Sequence, residues 1–366
     1  AVLFFTQSSL QAQVYTRIIG EEEKIYDYIP WYFIKETDSI MVIPVNVDSV
    51  LEQDAINGIG GNRFGVKSPM ELTIEDGTFH DFGNYSVWRM PVYSENAKSL
   101  NFLFTNLNLP EGSQMYIYGM NNRMIHGPIK AKNVHDGVYS TDFIYGEIAI
   151  IEVFLFSDEK NNFTIEIPRI IHGIGNSTEN GESEGFGTSA ECNVNVACEE
   201  GDNWKNETDA VCLILHNGFW KSTGTLINTA CSDFKPFVLA ANHSVKDINF
   251  NQSQNNSIYT FRFNYKSFIC PATIEPDSAL WLSFSGAQKI SSFNDTDFAL
   301  LELHDPIIEE PGLSLVGWDR RDTIIGSNTT FLHHPNGDVQ KITFDNEAPL
   351  IEDEEQTFSG NPKPVI

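Results

Sequence analysis

Between residues 14 and 173 apolar and polar side chains tend to alternate in short runs, broken by Gly, Asn, Asp and Pro. The clearest runs are Met41-Val42-Ile43-Pro44-Val45, Tyr85-Ser86-Val87-Trp88-Arg89-Met90, Leu100-Asn101-Phe102-Leu103-Phe104, Gln114-Met115-Tyr116-Ile117-Tyr118, Ile148-Ala149-Ile150-Ile151-Glu152-Val153 and Phe163-Thr164-Ile165-Glu166-Ile167. A period of two sends successive side chains to opposite faces, so these runs are strands; turn signals at close spacing predict an antiparallel β-sandwich. Only the stretch near 48–56 has helical character. Residues 174–188 carry almost no apolar mass and much Gly, Ser, Asn and Glu, the composition of a linker. Beyond it the strand pattern resumes at 210–215, 223–227, 237–241, 259–265, 280–284 and 298–303, with a turn at Asn217-Gly218. Six short strands within roughly 100 residues predict a small closed or Greek-key barrel. The expected fold class is therefore all-β throughout.

Composition changes this picture only in part. The chain has 366 residues, room for two or three independent cores. Its 23 basic and 50 acidic side chains leave a net charge of −27, which would repel phosphate and excludes nucleic acid as the expected partner. The opening residues 1–13 read as the end of a secretory signal peptide, with a cut after Ala12. Their apolar run is far below the ~20 residues a membrane-crossing helix needs, so no membrane partner is expected. All five cysteines, Cys192, Cys198, Cys212, Cys231 and Cys270, fall in the second half. Export implies an oxidising compartment in which disulfides are the default, and an odd count leaves one thiol unpaired. Cys212 and Cys231 flank a hairpin and are candidates to pair with each other. The expected division is 1–13 signal end, 14–173 sandwich, 174–186 linker and 187–366 second unit.

The candidate chemistry lies in that second unit. Phe237-Val238-Leu239-Ala240-Ala241-Asn242-His243 is an apolar run ending on an imidazole, and Asp297 stands at the mouth of Phe298-Ala299-Leu300-Leu301-Glu302-Leu303. A hydroxyl becomes a useful nucleophile when an imidazole removes its proton, and that imidazole needs a carboxylate on its other nitrogen. His243 and Asp297 come in the order such an assembly requires. His333-His334 does not suggest a metal pair, because neighbours on a strand point to opposite faces. The acidic run Glu352-Asp353-Glu354-Glu355 reads as a solvated loop.

Around these two residues, Ser222-Thr223-Gly224-Thr225-Leu226-Ile227, Gly317-Trp318-Asp319-Arg320-Arg321-Asp322 and His333-His334-Pro335-Asn336 follow one another at a characteristic spacing. With Gly187-Thr188-Ser189-Ala190-Glu191-Cys192-Asn193-Val194-Asn195-Val196-Ala197-Cys198, this succession resembles the secreted bacterial lysyl endopeptidases of the trypsin-like superfamily. The resemblance runs from Gly187 to about Ile342. It implies a trypsin-like double β-barrel, His243 as general base, Asp297 as its orienting partner, protein or peptide substrates, no cofactor, and a Cys198–Cys270 bridge. Residues 14–173 would be the protease's own propeptide, with the mature N-terminus at Gly187.

The sequence also departs from that family. The family has a cysteine directly after the catalytic His and its partner just before the Thr-Gly of the preceding strand; here those positions are Ser244 and Ser222. Its nucleophile sits in a Gly-x-Ser-Gly-x-Pro turn, whereas Phe358-Ser359-Gly360-Asn361-Pro362 has Thr357 in place of the leading Gly and follows His334 closely. Ser359 is thus a weak candidate, the second barrel is expected to be incomplete, and the chain is expected to be inactive for lack of a nucleophile segment. No Lys occurs between Lys160 and Gly187, so a Lys-specific enzyme could not free itself there, and processing by another protease is expected. Two other readings stay open: a non-catalytic protease homologue, and a surface- or carbohydrate-binding sandwich protein.

Overall fold

The computed structural model describes residues 14, 16–18, 41–57, 63–119, 124–174, 185–246, 248, 258–276, 281–307, 312–319 and 326–347. The signal segment 1–13, most of the linker, Glu352–Glu355 and Ser359 lie outside the described residues. Among the described residues no helix is long and apolar enough to cross a membrane.

The alternating runs of the first half form two sheets. One is ordered Thr16–Ile18, Met124–Ile129, Gln114–Gly119, Ile148–Phe156, Tyr85–Tyr93 and Met41–Val42, with Thr78–Asp81 also on Tyr85–Tyr93. The other is built around the long pair Ser99–Asn108 and Thr164–Gly173. Trp88, Met90, Ile117 and Ile151 of the first sheet share one core with Phe102, Phe104, Ile167 and Ile170 of the second, which makes the pair the expected sandwich. The helical stretch is Val47–Ile56, capped by Asn46, whose side chain accepts from Ser49 N at 3.0 Å.

The second half contains a seven-segment sheet. Its order is Leu282–Ser285, Tyr259–Phe263, Val211–His216, Phe219–Ile227, Phe237–Ala241, Phe298–Leu303 and Ala287–Phe293. The two edge segments are separated only by Gly286, at φ +71°, so they are one bent strand and the sheet closes on itself as a six-stranded barrel. Cys212, Ile214, Phe261, Phe263, Val238 and Leu301 fill its interior. The Ala287–Phe293 segment is absent from the sequence expectation: Gln288, Lys289 and three hydroxyl or aromatic positions after it obscure any alternation, and a register shift falls between Lys289 and Ser291. Val194–Asn195, Lys341–Asp345 and Thr329–His333 form a separate three-stranded sheet where a second barrel was expected.

The cysteines resolve into one bridge. Cys198 and Cys270 are bonded, with Cα atoms 5.0 Å apart, as the resemblance implied. The candidate Cys212–Cys231 pair does not form: Cys212 is buried in the barrel core on Val211–His216, whereas Cys231 is exposed in a loop. Burial pushes the Cys212 thiol well up, so it stays a small apolar core residue. Cys192 is free and exposed.

Sandwich and barrel touch through polar, backbone and apolar contacts, the last including Phe64 and Phe143 with Leu213, Tyr265 and Trp281. The Asn217-Gly218 turn has positive φ at both residues, 48° and 78°, as a tight type I′ hairpin requires. Its Gly218 carbonyl accepts from Phe64 N at 2.8 Å and Gly65 N at 2.9 Å. A Cβ at Gly218 would lie 2.6 Å from Gly65 O, so only glycine permits this approach.

Candidate active site

The strand Phe237–Ala241 lies between Phe219–Ile227 and Phe298–Leu303 in the barrel wall. In its pairing with the latter, Ala240 faces Ala299 and Ala241 faces Phe298. That register sets residue 242, one step past the first strand, against residue 297, one step before the second. The bond from Asn242 N to Asp297 O, 2.7 Å, continues the ladder by this one pair. Two side chains 54 residues apart are thereby brought to the same end of two adjacent strands.

Beyond that point each chain turns sharply. His243 enters the short helix Asn242–Val245, while Asp297 ends a turn that starts at Asn294, with Asp297 N donating to Asn294 O at 3.1 Å. Asp297 sits at φ +52°, a conformation that Asp tolerates better than most residues. Asn242 fastens the turn from the other side, its Nδ2 donating to Asn294 Oδ1 at 2.8 Å.

The Asp297 carboxylate faces His243 twice. One oxygen accepts from the His243 backbone N–H at 2.8 Å, and the other lies 2.5 Å from His243 Nδ1. A carboxylate accepts and does not donate, so the proton of the neutral ring belongs on Nδ1 and Nε2 is left as an acceptor. Nε2 has no partner among the described residues, and the His243 side chain is 70 % exposed against 44 % for Asp297. The arrangement can take a proton from a group brought to Nε2 and stabilise the resulting cation through Asp297. No hydroxyl among the described residues is bonded to His243, and Ser359 lies outside them.

The two other histidines singled out in the sequence are placed elsewhere. His333 Nε2 lies 3.2 Å from Asn193 Oδ1, whereas His334 is buried, its Nδ1 2.9 Å from Asp338 O and its ring stacked on Tyr265. Burial pulls His334 down to about 4. Among the described residues no group of His, Cys, Asp and Glu is arranged to hold a metal ion.

Sequence reasoning missed a second carboxylate pairing, between the two halves of the chain. Asp142, in the sandwich, binds Arg262 of the barrel strand Tyr259–Phe263. Alternation gave half of this signal: Tyr259, Phe261 and Phe263 face the barrel core, so Arg262 must point outward. What covers it there is a tertiary fact that no local pattern carries.

A closed barrel followed by the strands of a second sheet, with a sandwich before both, defines an all-β protein of trypsin-like fold. Residues 186–363 match the family described as lysyl endopeptidase, C-terminal domain. A lysyl endopeptidase of Pseudomonas aeruginosa is 24 % identical over 271 residues, covering 70 % of this chain and 56 % of the relative. The chain thus spans little more than half the length of that relative. Its second half is lysyl endopeptidase-like, at low identity to that relative.

Proposed function

We propose that this protein is a secreted serine endopeptidase in which His243 is the general base and Asp297 its orienting partner. The observation that carries this reading is the hold of Asp297 on His243 Nδ1, at 2.5 Å, with Nε2 turned to solvent. A serine Oγ placed at Nε2 gives up its proton as it attacks a peptide carbonyl. The imidazolium returns that proton to the leaving amine, and water then resolves the acyl-enzyme by the same route. The reading requires a serine at Nε2; Ser359, within the matched span 186–363, is the weak candidate that the sequence offers for it. The name of the relative supports peptide bonds after Lys as the substrate class. The Cys198–Cys270 bridge supports an oxidising, extracellular setting.

In this reading residues 14–173 are a propeptide-like sandwich, 174–186 a linker, and 187–366 the protease unit. The match beginning at residue 186 supports that boundary. The bond before Gly187 follows Phe186, so a Lys-directed enzyme relies on another protease to cut it.

A fluorophosphonate probe tests the assignment. After the linker is cut, the probe should label one serine, its position mapped by mass spectrometry, and His243→Ala should abolish the labelling and reduce turnover of a lysyl ester by a factor on the order of 10⁶. Labelling that is absent, or indifferent to His243, contradicts the reading.

A further inference from the structure

The Asp142–Arg262 contact has the construction of a binding site. Arg262 is 2 % exposed, and its guanidinium lies 4.4 Å from the Trp281 ring, 4.8 Å from that of Phe143 and 5.1 Å from that of Tyr265. Its Nη2 donates to Asp142 Oδ1 at 2.5 Å and its Nε to Oδ2 at 3.0 Å, the two-pronged geometry that matches guanidinium to carboxylate. Asp142 Oδ2 also accepts from Ser283 Oγ at 2.5 Å and Trp281 Nε1 at 3.3 Å. Four donors on three barrel residues thus converge on one carboxylate of the sandwich. The next residue, Phe143, packs with Leu213, Tyr265 and Trp281 of the barrel. Just before it, the same segment is fixed by Ser140 N to Ser285 Oγ at 2.8 Å and by Thr260 Oγ1 to Thr141 O at 3.1 Å.

The barrel residues form a receptor for an acidic side chain followed by an aromatic one. It is separate from His243: in the sheet order, Tyr259–Phe263 and Phe237–Ala241 have two strands between them. We infer that Arg262, Trp281, Ser283 and Tyr265 form a carboxylate-and-aromatic docking site on the protease unit, whose occupant is Asp142-Phe143 of the chain's own sandwich. The site holds the sandwich in place after the linker is cut. A buried ion pair with every lone pair satisfied is costly to open from one side, because the partner left behind keeps its charge in an apolar setting. Arg262 keeps two aromatic neighbours, Trp281 and Tyr265, so the departure of Asp142-Phe143 strands a guanidinium that only water or another carboxylate can satisfy.

This inference rests on the division into sandwich and protease unit given above, but not on catalysis. A specific cleavage site is placed within residues 175–184 of the full chain, the chain is cut, and the affinity of the two pieces is measured by gel filtration and dilution. The cut parent should stay associated at micromolar concentration. Asp142→Asn, which keeps the shape and removes the charge, should weaken the association at least about 100-fold. Ser283→Ala changes the receptor side and should weaken it about tenfold, so a folding defect in one variant does not decide the outcome. His243→Ala should leave it unchanged, which keeps a failure of the peptidase reading distinct from a failure of this one. Dissociation of the cut parent at once, or retention of parent affinity by both Asp142→Asn and Ser283→Ala, overturns the inference.

Discussion

Two carboxylates in this molecule close to the same distance, 2.5 Å, on a nitrogen donor in opposite surroundings. His243 and Asp297 stand at the barrel mouth, 70 % and 44 % exposed; Arg262 and Asp142 are 2 % and 3 % exposed between sandwich and barrel. Distance alone does not separate their roles. In water the first pair contributes little to stability, and its value lies in which nitrogen it leaves free. The second has lost its hydration entirely and stands only because both partners, and the hydroxyl and indole beside them, are present together. The group proposed to be reactive is therefore found where stability is least at stake, and the joint between units where it is most.

The largest expected effect belongs to the buried pair. Arg262→Ala leaves Asp142 without its main counter-charge and should cost about 3–5 kcal/mol in the intact chain, read from chemical denaturation. Burial by itself would raise the Asp142 carboxyl, but the Arg262 charge and hydrogen bond, with the Ser283 and Phe143 N–H or O–H donors, bring it below its ordinary value of 3.8. Its contribution is present above that value and is lost only as pH falls below it. An undiminished stability for Arg262→Ala would erase the contrast between the pairs.

Next comes acid. His126 and His334 are buried and His304 is partly buried, and desolvation holds them down, to about 4, about 4 and about 3, from 6.5. Between pH 6.5 and 4 the unfolded chain takes up protons that these rings refuse, so stability falls as pH drops through that window. The loss is on the order of 3 kcal/mol for each ring across its range. Replacing His126, whose Nε2 lies 2.7 Å from Tyr139 OH, with Gln should flatten the slope of stability against pH. A slope that survives unchanged would place the acid sensitivity elsewhere.

The smallest stability effect belongs to the exposed pair. Asp297→Asn should change folding stability by less than about 1 kcal/mol. Yet it offers an amide donor to Nδ1, favours the wrong tautomer, and should lower turnover by about 10⁴. A variant that loses several kcal/mol instead would make Asp297 a structural residue and remove the distinction drawn here.

Much of this was legible in the sequence, and the reasons differ by residue. His243 and Asp297 could be found because each ends or begins an apolar run, and the strand ladder then fixes their meeting within one residue. The sandwich was legible because strands such as Gln114–Gly119 and Ile148–Phe156 are long, apolar and bounded by turns. Asp142 was not, since it lies in a short connection with no period to violate, and its partner is 120 residues away. The open Cys212–Cys231 pairing was not realised for the opposite reason: proximity in sequence said nothing about facing. Cys212 lies on the inward face of its strand, and a one-residue change of face decides between core and solvent.

The account depends most directly on the state of the His243 ring. Nitrogen-15 NMR of the histidine side chains near neutral pH, with His243 assigned by comparison with His243→Ala, reads which ring nitrogen carries the proton. The prediction is a neutral ring protonated at Nδ1 with Nε2 bare, shifting to the other tautomer in Asp297→Asn. A parent ring protonated at Nε2 would contradict it, because such an imidazole has no lone pair to offer a serine.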